Sequence, residues 1–453
     1  MPASFNPQSA LWVKNARVLT FDKANRVIDD GAVRLVDGAF DWVGPASKAR
    51  VAAGEKAFDA GGRLMMPALI NCHTHLYSTL ARGLRLPGKP PASFLDILKK
   101  LWWRLDAALD PDDVYSSALV GLMDSARCGV GTVVDHHSSP HACPGSLDLI
   151  ARACEEVGLR GCLCYETSDR NGAAKTNEAL AENARFLEEL RARPRPLLRA
   201  SFGLHASFTL EERTVRRAAE AARALDCGFH IHVAEDRCDV ADARRRFRRS
   251  PVARLVAAGV LGPRSLAAHC VHVTAADIRA LARHGVNVIH NPQSNCNNAV
   301  GTAPLLEMTK AGVLVGLGSD GYTANLWEEF KTAFHLQKLR TADPRVAYAE
   351  AYAIAFLNNR EILRKIWGLE LGRIQAGSLA DFILVDYDPP TPLDSGNLFG
   401  HLLFGLADAR VSRLAVHGRW VVADGRCVNV DEAAIAERAR GQAKQLWKRM
   451  GHR

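Results

Sequence analysis

The sequence predicts an α/β fold: a (β/α)8 barrel joined to a small β-sandwich domain built from both termini. Three observations carry that expectation. Short apolar strands alternate with charge-rich helical stretches through the middle of the 453 residues, the pattern of a parallel sheet. Eight such strands can be drawn, and eight is the number that closes a barrel. Both ends of the chain read instead as strands and turns. The expected limits are residues 1–62 with 370–453 for the composite β domain and 63–369 for the barrel. The alternation by itself also admits an open, doubly wound sheet.

The N-terminal strands are LWVKNARVLTF and AVRLVDGAFDWVG, the second broken by Asp37-Gly38, a hairpin signal. The barrel strands follow as LMMPALINCHTH, VGTVVDHHS, LRGCLCYET, LLRASFGLH, CGFHIHVAE, SLAAHCVH, GVNVIHN and VLVGLGSD. Helical stretches between them include LDLIARACEEV, NARFLEELRAR, EERTVRRAAEAARAL and ADIRALARHG. Near the end, GSLADFILVDYD and VSRLAVHGRWVVADGRCV return to the β character of the start.

Composition narrows the class. With 48% hydrophobic and 24% charged residues, the chain has the make-up of a soluble globular protein. No apolar run approaches the ~20 residues that span a bilayer, so no membrane partner is expected. The opening MPASFNPQSALWVKNAR lacks the basic-then-apolar layout of a secretory signal, which places the protein in the cytoplasm. The 11 cysteines have no Cys-x-x-Cys pairs and lie mostly in apolar stretches. Buried free thiols are therefore expected, not a disulfide framework or a zinc ribbon. The formal charge of +9 has one dense local source, ARRRFRRSPVAR at residues 243–254. No nucleic-acid motif accompanies it, so it reads as a solvated helix face and no nucleic-acid partner is expected.

Nearly every barrel strand ends in a titratable residue: His73 and His75, His136 and His137, Glu166, His205, His230 and His232, His269, His290, Asp320. A single such histidine is ordinarily structural. Recurrence at one topological place is different, because parallel barrel strands deliver all their C-termini to the face where active sites sit. His73 and His75, two positions apart on a strand, face the same side. Two imidazoles side by side begin a four- or five-coordinate site for zinc or iron. Later strand ends supply further ligands, particularly HIHVAED (230–236) and GLGSDGYTAN (316–325). His230 and His232 share one face, and spacing does not choose between them. Gly316, Gly318 and Gly321 also fit the Gly-x-Gly-x-x-Gly fingerprint, with Asp343 at the distance of a ribose contact. Asp320 would then put a carboxylate where a pyrophosphate should rest, which argues against a dinucleotide.

In order, PALINCHTHLYSTLARG, SFGLHASFT, GFHIHVAED, AAHCVH, NPQSNCNNAVG and LGSDGYTAN resemble the amidohydrolase superfamily over almost the whole chain. Within it the deaminase and chlorohydrolase branch matches best, and the wording is similar to the SsnA-type aminohydrolases linked with purine catabolism. The resemblance implies one divalent metal, zinc or alternatively iron, on His73, His75, His232 and Asp320. It implies Glu235 as the proton-shuttling carboxylate, His269 as the partner of Asp320 in holding the water, and His205 as a substrate contact. A second metal in this superfamily usually needs a carboxylated lysine, and LLRASFGLH and LRGCLCYET contain none. Glu166 is therefore assigned to the substrate. Tyr77 and Arg82 follow the His73–His75 pair; Arg82 suits an anionic or carbonyl-rich substrate, or a salt bridge on the following helix. Asn295 reads the substrate or satisfies a turn.

The expected reaction removes an amino group from a purine-like or related nitrogen heterocycle by means of an activated water. A carboxyl group placed to protonate a leaving nitrogen favours C–N over C–Cl cleavage. Opening of a cyclic amide or ureido ring, triazine-type dechlorination and a non-catalytic binding module are the readings set against it. The expected partners are a small heterocyclic substrate and further copies of the chain, as a homodimer or larger.

Overall fold

The structure, a computed structural model, describes residues 10–451; residues 1–9, part of the opening read above for a leader, lie outside the described residues, as do 452–453. Five strands come first: β1 (Leu11–Leu19), β2 (Val27–Val36), β3 (Ala39–Pro45), β4 (Lys56–Asp59) and β5 (Leu64–Pro67). Then follow β6 (Leu69–Thr74), β7 (Val130–His137), β8 (Arg160–Tyr165), β9 (Leu198–Ala200) and β10 (Phe202–Ala206). β11 (Phe229–Val233), β12 (Leu266–His269), β13 (Asn287–His290) and β14 (Leu314–Leu317) complete the middle of the chain. The last strands are β15 (Phe382–Asp386), β16 (Arg410–Val416), β17 (Arg419–Ala423) and β18 (Arg426–Cys427).

β6 to β9 pair in parallel, as do β10 to β14, and the two sheets are arcs of one barrel. β9 and β10 are a single strand interrupted at Ser201. Thr167, beyond β8, bridges Leu204 of β10, and Thr74 of β6 bridges Asp320, beyond β14. Both seams are thus joined, giving the (β/α)8 barrel and removing the open-sheet alternative. Strands such as β6, β7, β8 and β11 are buried along their whole length. Helices cover their outer faces and side chains fill the interior, hence the near-continuous apolar runs. Helices Ser146–Val157, Ala173–Ala192, Glu212–Ala224 and Ala275–Arg283 fall on the four expected helical stretches.

Strands from both ends of the chain form one nine-stranded sheet, in the order β18-β17-β16-β15-β5-β1-β2-β3 with β4 on β1. Asp37 and Gly38 join β2 to β3 with φ of 49° and 78°, the positive angles a two-residue hairpin turn requires. The sheet folds on itself around aromatic side chains, Phe40 on Phe382 at 6.0 Å and Phe58 on Trp420 at 5.1 Å between ring centroids.

Two stretches depart from expectation. LMMPALINCHTH is two strands, because Pro67 has no N–H with which to continue a ladder. β5 stays with β1 and β15 in the terminal sheet, and the chain passes into the barrel at Leu69. Residues 432–449, expected to be part of a β domain, form a helix capped by Asp431. It packs on the barrel helix Pro111–Arg127, where Arg438 pairs with Asp112 at 2.8 Å, and on the short helix Leu76–Ala81, where Trp447 Nε1 donates to the Leu80 carbonyl at 2.8 Å. The basic run at 243–254 is a solvated helix face only in part. Arg245 and Arg246 pair with Asp242, and buried Arg254 donates to the carbonyls of Ser207 and Leu210. Among the described residues no helix is long and apolar enough to cross a membrane, and no disulfide forms.

A buried ion pair ties the barrel to the terminal sheet. Nε and Nη2 of Arg160, on β8, meet Oδ2 and Oδ1 of Asp381 at 2.6 and 3.0 Å, and Asp381 also accepts from the His417 N–H at 2.7 Å. Replacing Arg160 with Met leaves a buried carboxylate without its cation, expected to cost about 3–5 kcal/mol. Denaturant unfolding measures this; a loss under about 1 kcal/mol would show that the backbone donors suffice for Asp381.

Candidate metal centre and active site

The alternation of β6, continued by the extended residue His75 just past its end, puts His73 and His75 on one side. β11 delivers His232, β12 ends on His269, and the turn after β14 carries Asp320. His269 and Asp320 adopt the left-handed region at φ of 71° and 55°, as does Ala234 at 47°. A non-glycine residue there costs of order 1–3 kcal/mol and tends to mark a functional site. The kink at Ala234 returns the chain so that Glu235, three residues after His232, faces the same cavity as that histidine.

His73, His232, His269 and Asp320 offer ligand atoms that all lie within 4.8 Å of one another. His75 adjoins them, its Nε2 3.0 Å from Asp320 Oδ1 and 3.1 Å from His232 Nε2. His73 Nε2 is 3.5 Å from Asp320 Oδ1. Each imidazole is oriented through its other nitrogen. Nδ1 of His75 donates to the His136 carbonyl at 2.5 Å, Nδ1 of His232 to the His205 carbonyl at 2.9 Å, and Nδ1 of His269 to Asn295 Oδ1 at 2.9 Å. A proton held on Nδ1 leaves a lone pair on Nε2, the usual arrangement of metal-binding histidines. His73 Nδ1 meets His230 Nε2 at 2.8 Å. His230 thus supports His73 from beneath, and His232 is the member of the pair that faces the centre.

The cluster fits one divalent cation. Nε2 of His73 and of His269 is buried with no hydrogen-bond partner, a costly state that a cation relieves. The Nε2 atoms of His75 and His232 would repel at 3.1 Å without a proton or cation between them. Imidazole nitrogens with a carboxylate are the donor set of zinc and its neighbours. Burial opposes a charge on His75, but the Asp320 carboxylate outweighs it and pushes the imidazole up to about 9. Burial would likewise neutralise Asp320, yet the His73 and His75 imidazoles, 3.5 and 3.0 Å away, hold it well below the usual carboxylate range. Glu235 goes the other way: burial and the Asp320 charge lift it well above that range. Burial also pushes Glu166 up to about 8.

A cavity opens on this cluster, lined by His75, Tyr77, Glu166, His205, His232, Glu235 and Asp320 among the expected residues. His73 and His269 lie fully buried behind them. Two expected substrate contacts lie elsewhere. Arg82 lines not this cavity but an adjoining one that shares His75 and Asp320 with it, and there it pairs with Asp124 at 2.8 Å with its side chain 71% exposed. Asn295 is fully buried behind His269 and holds its ring. The glycines of the dinucleotide-like stretch answer to packing. A Cβ on Gly318 would come within 2.8 Å of the His73 Cβ. The N–H groups of Ser319 and Asp320 both donate to the His73 carbonyl, at 2.9 and 3.0 Å, and are not open to a phosphate.

Sequence reasoning missed one wall. A continuous helix over residues 94–108, with a π-helical turn at Leu98–Trp102, lays Phe94, Leu98, Trp102 and Trp103 along the cavity. Such turns recur at functional sites. The signal was present in SFLDILKKLWWRL, whose apolar residues recur at helical spacing between the first barrel strand and its helix. Ser294 and Asn298, neighbours of Asn295, were missed too, and both line the cavity.

The amidohydrolase family model matches residues 64–421. The chain is 33% identical over 439 residues to a 5'-deoxyadenosine deaminase of Methanosarcina mazei, covering 96% of this chain and 98% of that one. It is 32% identical over 446 residues to a 5-methylthioadenosine/S-adenosylhomocysteine deaminase of Desulforudis audaxviator, covering 96% and 99%. An adenosine deaminase from Xanthomonas campestris solved with bound zinc superposes with a TM-score of 0.85 at 25% identity, covering 98% of this chain and 100% of that one. An atrazine chlorohydrolase from Arthrobacter aurescens shares the fold, with a TM-score of 0.80 at 22% identity over 96% of this chain and 100% of that one.

Proposed function

The chain belongs to the amidohydrolase family, and from that premise we propose that it is a single-metal aminohydrolase that releases ammonia from a purine-like heterocycle. The observation that carries the reading is the meeting of Glu235, His269 and Asp320 beside the cavity. His269 Nε2 lies 3.6 Å from Glu235 Oε2 and 3.8 Å from Asp320 Oδ2. The relatives named as deaminases of adenosine analogues support C–N cleavage on an aminopurine-like ring.

We assign the cation to His73, His75, His232 and Asp320, and take it to be zinc because a structural neighbour was solved with zinc bound. A cation so held lowers the pKa of a water from ~15.7 towards ~7. Glu235 takes one proton from the attacking water and hands it to the ring nitrogen beside the amino-bearing carbon, then takes the second from the added hydroxyl and hands it to the amine as the C–N bond breaks. Expulsion of ammonia needs that second transfer, a general-acid step. Asp320 Oδ2 and His269 Nε2 orient the water and then the oxygen that replaces nitrogen. On the substrate side, Glu166 and His205 offer polar contacts to the ring edge, and Trp102 and Trp103 offer flat faces for a planar ring. The enzyme is placed in the cytoplasm, as a homo-oligomer, on the same reading.

A zinc-loaded sample tested on aminated purines, pterins and pyrimidines is expected to release one ammonia per oxo product. A ring-opened acid formed without ammonia would replace deamination by ring opening.

A further inference from the structure

Two cavity-lining side chains without a role so far connect Asp320 and Glu235. Ser294 Oγ donates to Asp320 Oδ2. Asn298 Nδ2 lies 3.4 Å from Ser294 Oγ and 3.4 Å from Glu235 Oε1. Both residues come from the NPQSNCNN segment. Ser294 is on the helix Pro292–Asn297 and Asn298 is its C-cap, with the Asn298 N–H donating to the Ser294 carbonyl at 2.9 Å. Residues four apart on a helical turn share a face. The start of the segment is anchored by buried Glu329, whose Oε2 accepts from the Gln293 N–H at 3.0 Å.

The link divides the labour of each carboxylate. With Oδ2 of Asp320 held by Ser294, Oδ1 faces His75 and His73 at 3.0 and 3.5 Å. With Oε1 of Glu235 held by Asn298, Oε2 faces His269 at 3.6 Å. The terminal torsion of a carboxylate is broad and nearly two-fold; a half-turn only exchanges equivalent oxygens, so what burial alone leaves unset is the plane of the group. A proton carrier whose carboxyl plane is turned out of line loses much of the rate gained by orientation. We propose that Ser294 and Asn298 form a positioning pair that locks the two carboxylates into one mutual orientation. This rests on the deaminase reading for its kinetic consequence, though not for its effect on the cation.

The test uses the full-length, zinc-loaded protein with Ser294→Ala, Ser294→Thr, Asn298→Ala and the Ser294→Ala/Asn298→Ala double variant. Each alanine variant is expected to lower kcat about 10–100-fold with KM within about 3-fold. The double variant should lose little beyond the worse single one, because the two residues act as one link. Ser294→Thr, which keeps the hydroxyl, should recover activity to within about 3-fold of the parent. Fully additive losses, or a threonine variant as poor as alanine, would overturn the pair. Zinc affinity, measured by chelator competition, gives a readout apart from turnover. Ser294→Ala should weaken it about 10-fold through the freed Asp320. That shift in a protein that releases no ammonia from any heterocycle upholds the pair and removes the deaminase reading. Unchanged zinc affinity in a protein that does release ammonia removes the pair.

Discussion

Glu235→Gln should lower kcat about 10²–10⁴-fold, the span usual for a lost general acid–base, while KM moves only a few-fold and bound metal stays stoichiometric. Glutamine has the shape of glutamate, so the cavity wall is preserved and the side-chain oxygen still accepts from Asn298 Nδ2, now 3.4 Å from Glu235 Oε1. What it lacks is a site for a travelling proton. The substitution also removes a group that burial and the Asp320 charge hold well above the carboxylate range, so the fold has no reason to weaken. Loss of rate without loss of metal or stability therefore points to the proton. Steady-state kinetics with metal analysis decide it, and turnover within a few-fold of the parent would end the assignment.

What the sequence disclosed, and what it hid, follows from the range of each interaction. His73 and His75 were legible because strand alternation is local: positions two apart must share a side. The barrel was legible because strands covered on both faces read as apolar runs. His230 and His232 were not separable, since the same alternation places both inward and only depth, about 6.6 Å per two residues, distinguishes them. His230 reaches His73 Nδ1 across 157 residues of sequence, a contact no local pattern records. Arg82 stands close to His75 in sequence, yet one short helix between them sends it to the surface. Pro67 lies inside an apolar run, and hydropathy does not register a missing N–H. Ser294 and Asn298 owe their roles to partners 26 and 63 residues away. NPQSNCNN advertised a turn and concealed what the turn holds.

Removing one imidazole at a time should divide the histidines into two sets. His73→Ala and His232→Ala are expected to lose the metal, each weakening affinity by more than the 10–100-fold typical of outer-shell changes, and to lose activity with it. His73 Nε2 is buried with no hydrogen-bond partner, and His232 Nε2 lies 3.1 Å from His75 Nε2. His269→Asn should instead keep the metal and lose turnover, because its Nε2 stands between two carboxylates, 3.6 Å from Glu235 and 3.8 Å from Asp320. Stability follows occupancy, since a ligand at 100 times its Kd contributes about 2.7 kcal/mol to the folded state. The chelated parent and the His73 variant should therefore melt alike, and added zinc should raise only the former. His73, His232, His269 and Asp320 also form a compact four-donor set by distance alone. Should the His269 variant lose its metal while His75→Ala retains it, that set binds the cation, and His269 can no longer be the group that orients the water.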